Sequence, residues 1–224
     1  MVSVVEEALT RGRFITFEGT EGAGKSTQIA RLAEDLESRG HSVVSVREPG
    51  GTPVGERIRD LVKDPSLEGV GPESELLLMC ASRSALVRQV ISPALEAGKI
   101  VLCDRFFDST FAYQGFGRGL SLDRLHEVNG FATGGLIPDA TIFLEIPLDL
   151  SLERRRGRDA VSGAEEGKDR FEQSGDEFFR KVERGFQALA AREPERIHRV
   201  NGVGSVDEVT ERIRQVLFRA VGDL

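Results

Sequence analysis

Cysteine, histidine and tyrosine are scarce in this chain, and long apolar runs are missing. In 224 residues there are two cysteines, three histidines and one tyrosine. Cys80 and Cys103 lie in apolar surroundings in separate segments, and neither has a C-x-x-C partner. Buried free thiols are therefore expected, rather than a disulfide or a metal site. His41, His126 and His198 are scattered, near no cysteine–carboxylate cluster, and are expected at the surface or in loops. No apolar run approaches the roughly 18 residues that a membrane-spanning helix needs. Residues 1–12 carry Glu6 and Glu7 without a basic start or a small-residue cleavage site, so a signal peptide is not expected. An excess of basic charge is missing too. The net charge is -7, from 30 Lys and Arg against 37 Asp and Glu. Nucleic-acid binding needs a concentrated basic stripe, and the one local cluster is Arg154–Arg156 with Arg158. These absences fit a protein of the reducing cytoplasm with neither nucleic acid nor membrane among its partners.

What is present is an alternation of short apolar strands with helical patterns. Strands are expected at Phe14–Glu18, Ser42–Arg47, Ile100–Asp104, Thr141–Ile146 and Arg196–Val200. Helical periodicity covers Lys25–Arg39, Val54–Lys63, Glu73–Glu96, Leu122–Phe131, Leu148–Arg156, Asp176–Arg192 and Val206–Ala220. Apolar strands separated by helices predict an α/β fold: a five-stranded parallel sheet covered by helices on both faces. Ligands bind such a sheet beyond the carboxyl ends of its strands. Three of those ends carry charge: Arg47-Glu48, Asp104-Arg105 and Glu145. With no internal repeat or linker, residues 13–224 are expected to form a single domain behind an N-terminal extension of residues 1–12. The segment Gly157–Gly175, rich in Gly and acidic residues but carrying Arg158, Lys168 and Arg170, is expected to be a mobile lid.

Gly19-Thr20-Glu21-Gly22-Ala23-Gly24-Lys25-Ser26, followed by Thr27, fits G-x-x-x-x-G-K-[ST], the P-loop pattern. Its flanks suit it, with a β-branched and aromatic strand before and an amphipathic helix after. Glycines let backbone N–H groups wrap a phosphate, and the helix presents its positive end there. Lys25 is positioned to neutralise the β- and γ-phosphates and Ser26 to ligate magnesium. A glycine-rich turn that binds nothing would not need Lys-Ser in register. A nucleoside triphosphate is the expected ligand.

A second constellation faces it. Arg47-Glu48-Pro49-Gly50-Gly51-Thr52 turns sharply after the second strand. Met79 and Arg83, four residues apart in an apolar helix, share a face. An arginine among leucines needs an acceptor, either an internal carboxylate or the polar edge of a ligand. Asp104 could support the magnesium shell or accept a proton, and Arg105 could grip a phosphate bidentately. Tyr113 and Gln114 follow, the amide offering the donor and acceptor that a pyrimidine edge requires.

Taken in order, these segments resemble the thymidylate kinase family of bacterial type, from Arg13 to about Leu217. The pattern is Phe17-Glu18-Gly19-x-Glu21-Gly22-x-Gly24-Lys25, Arg47 to Thr52, Asp104-Arg105-Phe106 with Ser109 and Tyr113-Gln114-Gly115, then Pro138-Asp139 before Leu144. The P-loop is widely shared; the Arg47–Thr52 and Asp104–Gly115 segments are far more specific. The resemblance implies a P-loop NTPase fold, ATP with magnesium as donor, dTMP as acceptor, and a homodimer packed through helices on one face. It implies that Glu21 approaches the sugar of the monophosphate, that Arg47 and Arg105 hold its phosphate, that Arg83 and Gln114 meet the thymine edge, and that Tyr113 packs on the deoxyribose. Two positions depart from the pattern. Met79 stands where a stacking phenylalanine is usual, and Ser82 where Asp is common before the arginine.

The P-loop has no arginine at Thr20, Glu21, Gly22 or Ala23, so the lid is expected to bring the missing positive charge. Arg158 and Arg170 are the candidates, with Arg154 next. Met79 keeps open a kinase for another pyrimidine monophosphate or a deoxynucleoside. A P-loop ATPase switch without a small-molecule acceptor is disfavoured by the acceptor-side arginines and by the lack of an Asn-Lys-x-Asp guanine motif.

Overall fold

A computed structural model describes residues 11–67, 69–151, 153–154 and 169–222. Five parallel strands form one sheet: β1 Phe14–Glu18, β2 Val43–Arg47, β3 Ile100–Asp104, β4 Ala140–Glu145 and β5 Ile197–Asn201, in the order β2-β3-β1-β4-β5. β1 is central, and all five of its residues are buried, Thr16 and Glu18 included. The chain moves to one side of β1 for β2 and β3, then crosses to the other for β4 and β5. That reversal opens a crevice at the carboxyl end of β1. The register pairs Asp104 with both Phe17 and Arg47. Glu18, Arg47 and Asp104 therefore emerge at one edge.

The helices are α1 Lys25–Ser38, α2 Pro53–Lys63, α3 Pro72–Leu86, α4 Ser92–Glu96, α5 Phe107–Thr110, α6 Leu122–Thr133, α7 Gly175–Arg192 and α8 Val206–Val221. On one face α1 and α8 pack Ile29, Leu32, Leu36, Ile213 and Leu217 against β1 and β4. On the other, α3, α6 and α7 enclose a core that includes Leu76, Leu125, Phe178 and Phe186. Local signals set the starts. Thr52 caps α2 by accepting from Gly55 N at 3.0 Å, with Pro53 in the first turn. Ser205 and Glu208 form a reciprocal capping box at α8.

Two features depart from the periodicity. The helix expected over Glu73–Glu96 widens into a π turn at Val87–Ile91. Asp108–Gly115, anticipated only as a motif, is helical, with a π turn over Phe111–Gly117. Such turns displace side chains from α-helical register and recur at functional sites; this one holds Tyr113 and Gln114. Both cysteines are buried and free. His198 lies within β5 rather than in a loop, and His126 packs its ring 4.4 Å from that of Phe111. No described helix is long and apolar enough to cross a membrane.

Candidate active site

The loop between β1 and α1 bends where only glycine fits. A Cβ on Gly19 would stand 2.5 Å from the Leu144 carbonyl oxygen, and Gly24 adopts φ 96° directly before α1. The loop forms one wall of a cavity of about 590 Å³ lined by residues Glu21 to Gln28. Gly19 and Thr20 do not line it; their carbonyls accept from Lys25 Nζ at 3.1 and 3.0 Å. Burial, aided by the nearby Arg105 charge, lowers the Lys25 pKa from 10.5 to about 8. Ser26 Oγ donates to Asp104 Oδ2 at 2.8 Å, which brings a hydroxyl and a carboxylate oxygen together at the carboxyl end of β3.

A second cavity, of about 100 Å³, opens beside the first. Met79 and Arg83 of α3, Ser109 of α5, and Tyr113 and Gln114 of the π turn line it. The backbone turns into it at Arg105, the one described non-glycine residue with positive φ, at 71°. A left-handed residue of this kind is a strained conformation that the surroundings must hold. Here the Arg105 N–H donates to Phe17 O at 2.9 Å, while its guanidinium donates to Ser109 Oγ at 2.9 Å and Tyr113 Oη at 3.2 Å.

Glu21, Glu48, Arg59 and Arg105 line both cavities. The junction is thus two carboxylates and two guanidinium groups. Among the described residues, one oxygen of each carboxylate, Glu21 Oε2 and Glu48 Oε1, is buried without a hydrogen-bond partner, which is unusual for buried polar atoms. Burial raises the Glu48 pKa to about 7, with Arg83 pulling it down.

The internal acceptor of Arg83 is Glu48. Arg83 Nε and Nη2 each lie 2.7 Å from Glu48 Oε2, and Nη1 donates to Thr110 Oγ1 at 3.0 Å and to Asn129 Oδ1. The same guanidinium also lines the second cavity. Arg47 does not line that cavity: it lines the first, with Nη2 2.9 Å from Glu56 Oε2 in an exposed pair. The structure does not bring Arg170 to either cavity. Its Nε and Nη1 donate to the carbonyls of Val62 and Val70 at 3.1 and 3.3 Å, and its Nη2 to Glu75 Oε2 at 2.6 Å. Arg158, most of the expected lid, and residues 1–10 of the expected extension lie outside the described residues. Of the described arginines in the basic cluster, Arg154 reaches the first cavity, with Nη1 3.3 Å from Gly22 O.

Other site residues were given no role by the sequence. Glu18, wholly buried, accepts from Phe106 N at 2.8 Å, Ser109 N at 3.2 Å and Ser109 Oγ at 2.6 Å. It holds the start of α5, and burial raises its pKa to about 7 against the pull of Arg105. Arg59 lies on α2 and donates to Pro49 O at 3.0 Å. Phe106 and Phe171 add aromatic surface to the second cavity beside Met79. The spacing of Arg59 from the Arg47–Thr52 turn, on the first two turns of a capped helix, was the one available clue.

Comparison with known proteins places this geometry. The family model described as Thymidylate kinase matches residues 17–213. A thymidylate kinase of Alkalilimnicola ehrlichii is 47% identical over 213 residues, covering 95% of each chain. One of Syntrophotalea carbinolica is 49% identical over 201 residues, covering 89% of this chain and 92% of the relative. The crystal structure of thymidylate kinase from Ehrlichia chaffeensis superposes with a TM-score of 0.74 at 32% identity, covering 92% of this chain and 99% of that one.

Proposed function

The chain belongs to the thymidylate kinase family, and from that premise we infer that it transfers the γ-phosphoryl group of ATP to dTMP, releasing ADP and dTDP. The observation that carries this reading is the pair of cavities meeting at Glu21, Glu48, Arg59 and Arg105. One is walled by the P-loop and the other by Met79, Arg83 and Gln114, so donor and acceptor phosphates meet where Arg59 and Arg105 supply positive charge.

Transfer of this kind needs positioning and charge neutralisation more than covalent chemistry. The P-loop N–H groups, Lys25, Ser26 and Thr27 bind the triphosphate. Arg105 and Arg59 hold the acceptor phosphate at the junction, and Arg47 adds charge from the donor side. An oxygen of the dTMP phosphate attacks the γ-phosphorus as the bond to the bridging oxygen of ADP breaks. Ser26 and Asp104 would hold magnesium, since their paired side-chain oxygens are the hard ligands that this ion prefers. When bound, the ion neutralises charge on the β- and γ-phosphates. Glu21 offers its unpaired oxygen to the sugar of the monophosphate, and Tyr113 packs against the deoxyribose. Arg83 and Gln114 read the thymine edge, with Met79, Phe106 and Phe171 around the ring.

The enzyme works in the cytoplasm as an isologous homodimer, formed through the packed pair α3 and α6. These helices expose Leu77 (59%) and Phe131 (92%), a large apolar area for two single positions. ADP release from ATP and Mg²⁺, measured with dTMP, dUMP, dCMP and UMP in turn, tests the reaction. Release is expected to be fastest with dTMP. Equal release with no acceptor present would identify an ATPase and sink the reading.

A further inference from the structure

Glu75 is wholly buried and lines neither cavity, yet it carries four polar contacts. Its Oε1 accepts from Gln114 Nε2 at 2.7 Å and from Arg118 Nε at 3.4 Å. Its Oε2 accepts from Arg118 Nη2 at 3.2 Å and from Arg170 Nη2 at 2.6 Å. A carboxylate between two guanidinium groups has only acceptor oxygens. Whatever part of the Gln114 side chain meets it must therefore be the amide NH₂. That fixes the flip of the amide, and Gln114, itself 1% exposed, presents its carbonyl oxygen elsewhere. The cavity that Gln114 lines with Arg83 is where that oxygen can be used.

We propose that Glu75 is the positioning residue for base selection: it holds the Gln114 amide with its oxygen toward the pyrimidine ring and its NH₂ away from it. This rests on the acceptor reading above. Thymine and uracil carry a donor at N3, which matches an acceptor. Cytosine carries an acceptor at N3 and an amino group at C4; it finds no donor from Gln114 and meets the donors of Arg83 with a donor of its own. The selection against cytosine is thus set from behind the pocket, by a side chain that never touches the nucleotide. Arg170 ties the same carboxylate to the segment that leads into α7. The ordering of Gln114 and the anchoring of that segment share one group.

The test is Glu75→Gln, whose outcome the geometry fixes. The closest guanidinium contact, from Arg170 Nη2 at 2.6 Å, and a second from Arg118 Nη2 at 3.2 Å both meet the Oε2 position, so the new amide keeps its oxygen there and places its NH₂ toward Gln114. Gln114 must then turn its own oxygen to that NH₂ and show its NH₂ to the ring. The ratio of kcat/KM for dTMP to that for dCMP is expected to fall by about tenfold or more, chiefly through KM for dTMP, because a polar mismatch in a buried site discriminates strongly. A structural role alone lowers both substrates together and leaves the ratio unmoved, which would overturn the proposal. In a Gln114→Ala background the Glu75→Gln change should no longer move the ratio; a ratio that still moves there also overturns it. Should Glu75→Gln not accumulate as folded protein, Glu75→Asp, one methylene short of Gln114, is expected to lower the ratio in the same direction, and an unchanged ratio counts against the proposal. Wild-type enzyme with no preference for dTMP over dCMP would overturn the acceptor reading itself, a result distinct from a preference that survives Glu75→Gln.

Discussion

Ser26 Oγ and Asp104 Oδ2 stand 2.8 Å apart, although 78 positions separate them in the chain. The contact joins the first turn of α1 to the end of β3, and it exists because β3 lies next to β1 and delivers Asp104 beside the loop that β1 feeds. If these two oxygens hold magnesium, chelation of divalent ions abolishes transfer. Ser26→Ala and Asp104→Asn are each expected to raise the Mg²⁺ concentration for half-maximal rate by about tenfold or more. A Mg²⁺ titration of initial rate reads this directly; variants with the wild-type midpoint would remove both residues from the metal site.

Lys25 couples nucleotide binding to protons. Its pKa in the free protein is lowered to about 8 by burial and by Arg105. A triphosphate brings negative charge to the ammonium and raises that pKa again. Above pH 8, ATP binding should therefore take up a proton, and affinity should fall as pH rises, by up to about tenfold per unit. Calorimetry in buffers of different ionisation enthalpy measures the uptake. Lys25→Met is expected to abolish it; uptake that persists in that variant would assign the proton to another group.

The sheet and the P-loop were legible because their signals are local: short apolar and β-branched runs, glycines at fixed offsets, and Lys-Ser in register. The partner of Arg83 was legible only as a need. Burial among leucines demanded an acceptor, and nothing local named Glu48, which lies 35 positions away. Glu18 stood only as a member of the family pattern, without a role, and Glu75 was not singled out at all. Their partners Ser109 and Gln114 are 91 and 39 positions distant, and a glutamate in a strand or a first helical turn has no pattern of its own. The contacts of Arg170 were not legible for a related reason. Arginines in a glycine-rich segment near a kinase cleft suggest phosphate binding, but carbonyls and a buried carboxylate compete for the same donors.

Glu18 gives the fold a pH dependence. Its folded pKa, raised to about 7 by burial, lies above the ordinary 4.5. The folded state therefore binds more protons than the unfolded state between those values. Its stabilising contribution is complete below pH 4.5 and is lost as pH rises through 7. Glu48, raised to about 7 by its own burial, acts in the same sense. Unfolding free energy should thus decline between about pH 5 and 7 from these groups. Glu18→Gln, which can still accept from Phe106 N, should remove about one proton's worth of that slope. Denaturant titrations at several pH values read it, and an unaltered slope would show that Glu18 is ionised throughout.

Arg154 and Arg170 should fail in different ways when replaced. Arg154 reaches the P-loop side, 3.3 Å from Gly22 O, and its guanidinium lines the donor cavity. Charge placed there acts on the transferring group, so Arg154→Ala is expected to lower kcat by about tenfold to a hundredfold with little change in KM for dTMP. Arg170 instead bonds two carbonyls and Glu75 with a side chain 15% exposed. Removing it strands those acceptors while Glu75 keeps Arg118, and a loss of about 1–3 kcal/mol of stability follows. Because Glu75 orients Gln114, Arg170→Ala should raise KM for dTMP and leave kcat within a few-fold. Steady-state kinetics with thermal unfolding of both variants separates the two roles. A large drop in kcat for Arg170→Ala with unchanged stability would return Arg170 to the phosphates and place its contact with Glu75 outside the catalytic cycle.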